Sequence, residues 1–193
     1  MIDFYKRCRA RVAQFTGNES GAVTMEFLII CPFLFWGYMA MLTYYDAFRQ
    51  NTVNQKAAFT IADLISRQAT VNGAFLDGAH TVFDTLVRSN TPTALRVTSV
   101  TYNDDDPEDE TLGTYSVLWS EPRGDFGELT TDDVENWHDV LPVMYDGATV
   151  VVVETWAGFR PAFKIGMSER TLHNFTFTRP RYSPQVCFED SCD

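Results

Sequence analysis

The residues able to do chemistry in this 193-residue chain are three histidines, four cysteines, one run of acids, and a single acid at the head of an apolar stretch. His80, His138 and His173 are scattered, and no HExxH, GxSxG, CxxC or GxxxxGK[ST] pattern ties them to a metal, a nucleophile or a phosphate. They read as surface or packing residues. Asp104, Asp105, Asp106, Glu108, Asp109 and Glu110 offer the oxygen ligands that calcium takes, but the spacing lacks the Gly and the distal Glu of an EF-hand loop. The expectation is a solvated hairpin loop, with Asp104, Asp105 and Asp106 as the best-placed metal ligands if there are any, and no cofactor. Tyr145, Trp137, Trp156 and Phe159 read as packing residues rather than a ligand box.

The sharpest chemical feature is Glu26. It stands immediately ahead of 19 residues without a formal charge, 27–45. At about 1.5 Å of rise per residue that run reaches roughly 28 Å, close to the hydrocarbon thickness of a bilayer. A carboxylate at the edge of a membrane span is costly unless neutralised or paired, so it points to a function. A cut after Gly21 would supply the partner: the new α-amino group on Ala22 lies four residues ahead of Glu26. That amine could pair with its own Glu26 or with that of an adjacent subunit, and in low dielectric the pairing would set axial register.

The elements that must position this acid follow from charge. The formal net charge is -11, yet Lys6, Arg7, Arg9 and Arg11 cluster before the apolar run, opposed there only by Asp3 and Glu19. Basic residues beside a span stay on the cytoplasmic side, which places residues after about 46 outside, in the periplasm of a Gram-negative cell. Tyr38, Tyr44 and Tyr45 fall toward the outer interface, with Trp36 deeper. A removed secretory signal is disfavoured because Tyr38 and Tyr45 would fill the -3 position. The acidic body, with no basic stripe, argues against a nucleic-acid partner. Cys8 is then cytoplasmic and Cys31 intramembrane. Cys187 and Cys192, in CFEDSC, lie on the oxidising side, where a disulfide pinning the C-terminus is favoured over two free thiols.

Periodicity supplies the rest. Val53, Ala57, Ile61, Leu64 and Ile65 continue the span as an amphipathic helix to about Gln68. Phe75, Ala79, Val82, Phe83, Leu86 and Val87 mark a second helix, capped by Asn72, stopped near Pro92, and packed on the first. Strands are predicted over 95–102 and 114–120, the latter with Tyr115, Val117 and Trp119 on one face; 148–156 is the sheet centre and 172–180 a fourth strand. A short helix is expected in TTDDVENWHDVL, capped by Thr131 or Asp132. The fold class is α+β: a long N-terminal helix, a second helix, and a small, mainly antiparallel sheet with a short helix. The organisation is a leader (1–21), a transmembrane helix (22–46) and an extracytoplasmic head (47–193).

A short basic leader ending in Gly, then Ala22-Val23-Thr24-Met25-Glu26-Phe27 and an apolar helix, resembles the processing site of type IV pilin-like proteins. More narrowly, SGAVTMEFLIICPFLF is similar to the TadE/TadG-like minor pseudopilins of tight-adherence pili. VVVVETWAGFRPAF (150–163) and FTFTRPRYSP (175–184) resemble later segments of that family. The resemblance implies a leader removed by an aspartyl prepilin peptidase, with Gly21 and Ala22 flanking the scissile bond, Glu26 the registration acid and Phe27 its apolar neighbour. It also implies a non-catalytic role in pilus assembly, priming or tip formation, with other pilins and an inner-membrane assembly platform as partners. A body of about 170 residues is far longer than a major Flp pilin, which argues against a bulk fibre subunit. Pro32 is expected to bend or loosen the span. Two other classes stay open: a membrane-anchored binding module using the acidic loop, and an anchored hydrolase using His138 or His173.

Overall fold

The computed structural model describes residues 21–89, 91–104 and 113–189. Its first element, α1, is Ala22–Ser66, 45 residues of helix that pass through Pro32 without interruption. Proline costs one ladder hydrogen bond, a loss a long helix tolerates when the rest of its ladder is intact. Then come β1 (Thr70–Val71), α2 (Gly73–Val87), β2 (Thr93–Asn103), β3 (Thr114–Arg123), α3 (Thr131–Val134), a 3-10 turn (Trp137–Asp139), β4 (Thr149–Phe159), β5 (Arg170–Thr178) and β6 (Cys187–Phe188). The architecture is α+β. Strands β3-β2-β4-β5 form an antiparallel sheet, so the apolar β4 sits inside it as its Val-rich run demands.

Both long helices cover one face of this sheet. α1 lies over β4 and β5, and α2 packs against α1, β2 and β3. The core between them joins Ala57, Ile61, Ala62 and Ile65 of α1 to Leu76, Ala79, Phe83 and Val87 of α2. The sheet contributes Leu95, Val97, Val151, Val153 and Ala157. The α2 stripe is turned relative to the sequence expectation: Leu76 is buried, whereas Val82 and Leu86 are exposed. Leu64 of α1 is likewise exposed. Asn72 caps α2, its Oδ1 accepting the Phe75 amide at 2.8 Å. α2 ends at Arg88, which takes the left-handed conformation at φ 50°.

The opposite face carries a second core of Val100, Tyr102, Tyr115, Val134, Leu141, Val150 and Val152. Here the structure corrects the expected face of β3. Ser99 pairs with Trp119, but Val100 pairs with Val117, leaving Leu118 as an extra residue. This bulge reverses the alternation, so Tyr115 and Val117 belong to the second core while Trp119 faces the helices. Burial raises the Tyr115 hydroxyl above its ordinary pKa, with nearby Tyr102 adding to the effect.

Trp119 is fixed by its indole N–H, which donates to the Val186 carbonyl at 2.7 Å, and by Phe188, whose ring lies 5.6 Å away. Trp119→Phe strands that buried carbonyl and is expected to cost about 1–3 kcal/mol. Thermal melting of the detergent-solubilised protein, followed by near-UV circular dichroism, reads this; an unchanged midpoint would mean the bond contributes nothing.

Two short elements escaped the sequence reading. β6 runs parallel to β1, pairing Thr70 with Cys187 and Val71 with Phe188. The expected short helix is a single turn, α3, followed by the 3-10 turn. It begins after Thr130, whose amide and hydroxyl both donate to the Asp133 carboxylate at 2.9 and 2.8 Å. Those bonds, the backbone one first, hold the Asp133 pKa below its ordinary value.

Candidate functional site

Two regions could carry function: the start of α1, and a polar and aromatic cluster on the sheet face away from the helices. At the first, Gly21 is exposed and precedes the helix, Ala22 is its first residue, and Glu26 and Phe27 point outward. Ala22 and Glu26 are four apart, which puts them on one side of the helix a turn from each other. Among the described residues Glu26 makes no ion pair. The leader itself lies outside the described residues.

α1 is the one helix, among those described, long and apolar enough to cross a membrane, and its most apolar 18-residue window has no buried residue. Exposure changes along its length. From Val23 to Ile30 every side chain is exposed; from Ala57 to Ile65 the head buries Ala57, Ala58, Ile61, Ala62 and Ile65.

The second region was not foreseen. Glu154 lies inside the apolar run VVVVETW, and an acid buried there needs a counter-charge. Arg96, its cross-strand partner on β2, supplies it: Nη2 and Nε reach Oε2 at 2.6 and 2.8 Å. His173 on β5 brings Nε2 to 3.3 Å from Oε1. Trp156 stacks between neighbours on this face, with the Phe126 ring at 4.0 Å and the His173 ring at 4.8 Å, and Arg96 5.2 Å from its centroid. Chemically this is a brace. One carboxylate ties three strands, both its oxygens are engaged, and His173 meets no hydroxyl or thiol that it could activate among the described hydrogen bonds. A lone acid in a valine-rich strand and a lone Arg in another were the available signals.

Against known families, curated proteins and solved structures, this chain gives no match.

The remaining sequence candidates are spread over the head. His80 Nε2 meets Thr93 Oγ1 at 3.1 Å, and that hydroxyl also bonds Asp84. The His138 ring lies 5.2 Å from Tyr115 in the second core, at the opposite edge of the sheet from His173. The structure therefore does not bring His138 and His173 into one site. The Asp104 amide donates to Asp146 Oδ1 at 3.1 Å. Asp105 and Asp106 lie outside the described residues. Among those that are described, no three His, Cys, Asp or Glu side chains group to hold a metal ion. Cys187 is disulfide-bonded and Cys31 is a free thiol. Cys192, and with it the Cys187–Cys192 pairing, lies outside the described residues. Tyr145, which the sequence reading assigned to packing, is exposed and carries Arg179, whose Nη2 donates to its hydroxyl at 2.6 Å.

Proposed function

We propose that this chain is a non-catalytic, TadE/TadG-like minor pseudopilin. It is held in the bacterial inner membrane by the first half of α1, with the head 47–193 on the periplasmic side. In this reading a prepilin peptidase cuts between Gly21 and Ala22, and the freed helix packs among those of other pilins at the assembly platform during priming or tip formation. Glu26 then receives an α-amino group as its counter-ion and sets the register.

The observation that supports the reading best is the division of α1. One uninterrupted helix has an exposed apolar first half and a second half seated under the sheet. A helix of this kind has a hydrophobic surface that the head leaves uncovered, which lipid and other helices can cover in turn. The exposed Gly21 just before it leaves the proposed cut accessible. The test is the mass of the mature N-terminal peptide in cells with and without the prepilin peptidase. A peptide beginning at Ala22, lost when the peptidase is deleted, is expected. A peptide that keeps residues 1–21 in both strains overturns the reading.

A further inference from the structure

The segment between β4 and β5, residues 160–169, reaches α1 through its middle, at Gly166 and Met167. It runs down the side of α1 toward the apolar run. Gly166, at φ 74°, stands against Tyr44: a Cβ added there would lie 3.5 Å from the tyrosine hydroxyl. Met167 packs with Ala47, Phe159 and Leu172 in a small third core. The matching stripe on α1 is legible in its burial. Thr43 is only 2% exposed, Met39 and Ala40 are half-buried, and Ala47 is buried, within a helix surface that is otherwise open at this level. Met39, Thr43 and Ala47 are spaced by four, one face of a helix.

The buried Thr43 lies two residues before Tyr45, the last uncharged residue of the run, which is about 3 Å along a helix axis. The head's cover therefore extends past the end of the apolar stretch and into it. The composition of the segment suits that depth. Phe163 is exposed and Ile165 half-buried; Arg160, Lys164 and Arg170 are exposed, and the one acid among them, Glu169, pairs with Arg160 at 3.3 Å, so Lys164 and Arg170 carry the segment's net charge. Tyr45 and Phe48 on α1 continue the apolar collar. A local excess of basic charge in a chain of net charge -11 is placed where α1 leaves its apolar run. Asp104 follows the opposite end of β2. Aromatic and aliphatic side chains interleaved with Lys and Arg suit the boundary between acyl chains and anionic headgroups.

We infer that residues 160–170 form a membrane-seating loop, in which Phe163 and Ile165 enter the outer boundary of the bilayer while Lys164 and Arg170 meet anionic phosphate headgroups. The loop fixes the height and rotation of the head above the lipid while the subunit waits in the membrane. The inference rests on α1 spanning the bilayer, and the test separates the two.

The full-length protein is reconstituted in vesicles of brominated phosphatidylcholine, alone or mixed equally with phosphatidylglycerol. The emission difference between Phe163→Trp and the parent reports the loop; that between the parent and Trp36→Phe reports the span. Seating at the acyl boundary is expected to quench the introduced ring by about twofold, and more in the anionic mixture. The paired substitution Lys164→Glu and Arg170→Glu is expected to remove the anionic increment. Quenching of Trp36 without quenching of the introduced ring overturns the loop and leaves the span standing. So does an introduced ring shielded from iodide yet untouched by brominated lipid, which would assign the loop to a second copy of the chain. An increment that survives the charge reversals overturns the headgroup contact. Absence of quenching at both positions overturns the span and the loop together.

Discussion

Arg96→Met is expected to destabilise the head by about 3–5 kcal/mol, the cost of leaving a buried carboxylate without its cation. The Glu154 side chain is 7% exposed and that of Arg96 13%, so water cannot take over the missing contacts. Three strands meet at this acid, and Arg96 also donates to the Gly127 carbonyl at 2.9 Å, holding the loop after β3. The double variant Arg96→Met, Glu154→Leu should recover most of the loss, because it removes both the charge and its desolvation cost. Thermal or urea unfolding of the detergent-solubilised protein gives both values. A single variant that loses under about 1 kcal/mol would show the pair to be as solvated as a surface ion pair.

The second large effect concerns Glu26→Ala. The variant is expected to insert and to be cleaved at Gly21 as the parent is, because neither step uses that carboxylate in the proposed scheme. Surface pili should fall by at least about tenfold, which corresponds to about 1.4 kcal/mol lost when a subunit docks without its counter-ion. Immunoblotting of the membrane fraction separates insertion and cleavage from assembly, and electron microscopy counts the fibres. Undiminished piliation with normal cleavage would remove the registration role while leaving the processing site in place.

The long elements were legible because each has a repeating physical signal. α1 shows an uncharged run followed by three- and four-residue steps, and β4 shows a continuous apolar stretch that only a doubly covered strand can satisfy. β3 was legible as a strand but not in its facing, since Leu118 breaks the two-residue period without any Gly or Pro to announce a bulge. β1 and β6 are two residues each, too short for any period to show. Their pairing depends on contact between segments more than a hundred residues apart, which local pattern does not encode. The Arg96–Glu154–His173 brace was hidden for the same reason. Each residue alone looks ordinary, and only the register of three strands puts them together. At the start of α1 the proposed site is local: Glu26 stands out by its place ahead of the uncharged run, whereas the roles of Gly21, Ala22 and Phe27 come from the resemblance of that segment to pilin-like processing sites.

The end of the chain returns to the far end of α1. The Arg181 amide donates to the Ser66 carbonyl at 2.9 Å, Cys187 to Ala69 at 3.0 Å and Glu189 to Val71 at 2.8 Å, while the Arg181 guanidinium reaches Asp63 at 2.9 Å. Arg67 also holds Asp63, chiefly through a side-chain hydrogen bond, and keeps its carboxyl below the ordinary range. In the proposed assembly the subunit would be gripped by its first helix and so pulled from one end. Knotting the opposite end to the tail means that tension along the helix cannot draw it from under the sheet by slippage of the last turn alone; it must also tear away the C-terminal strap.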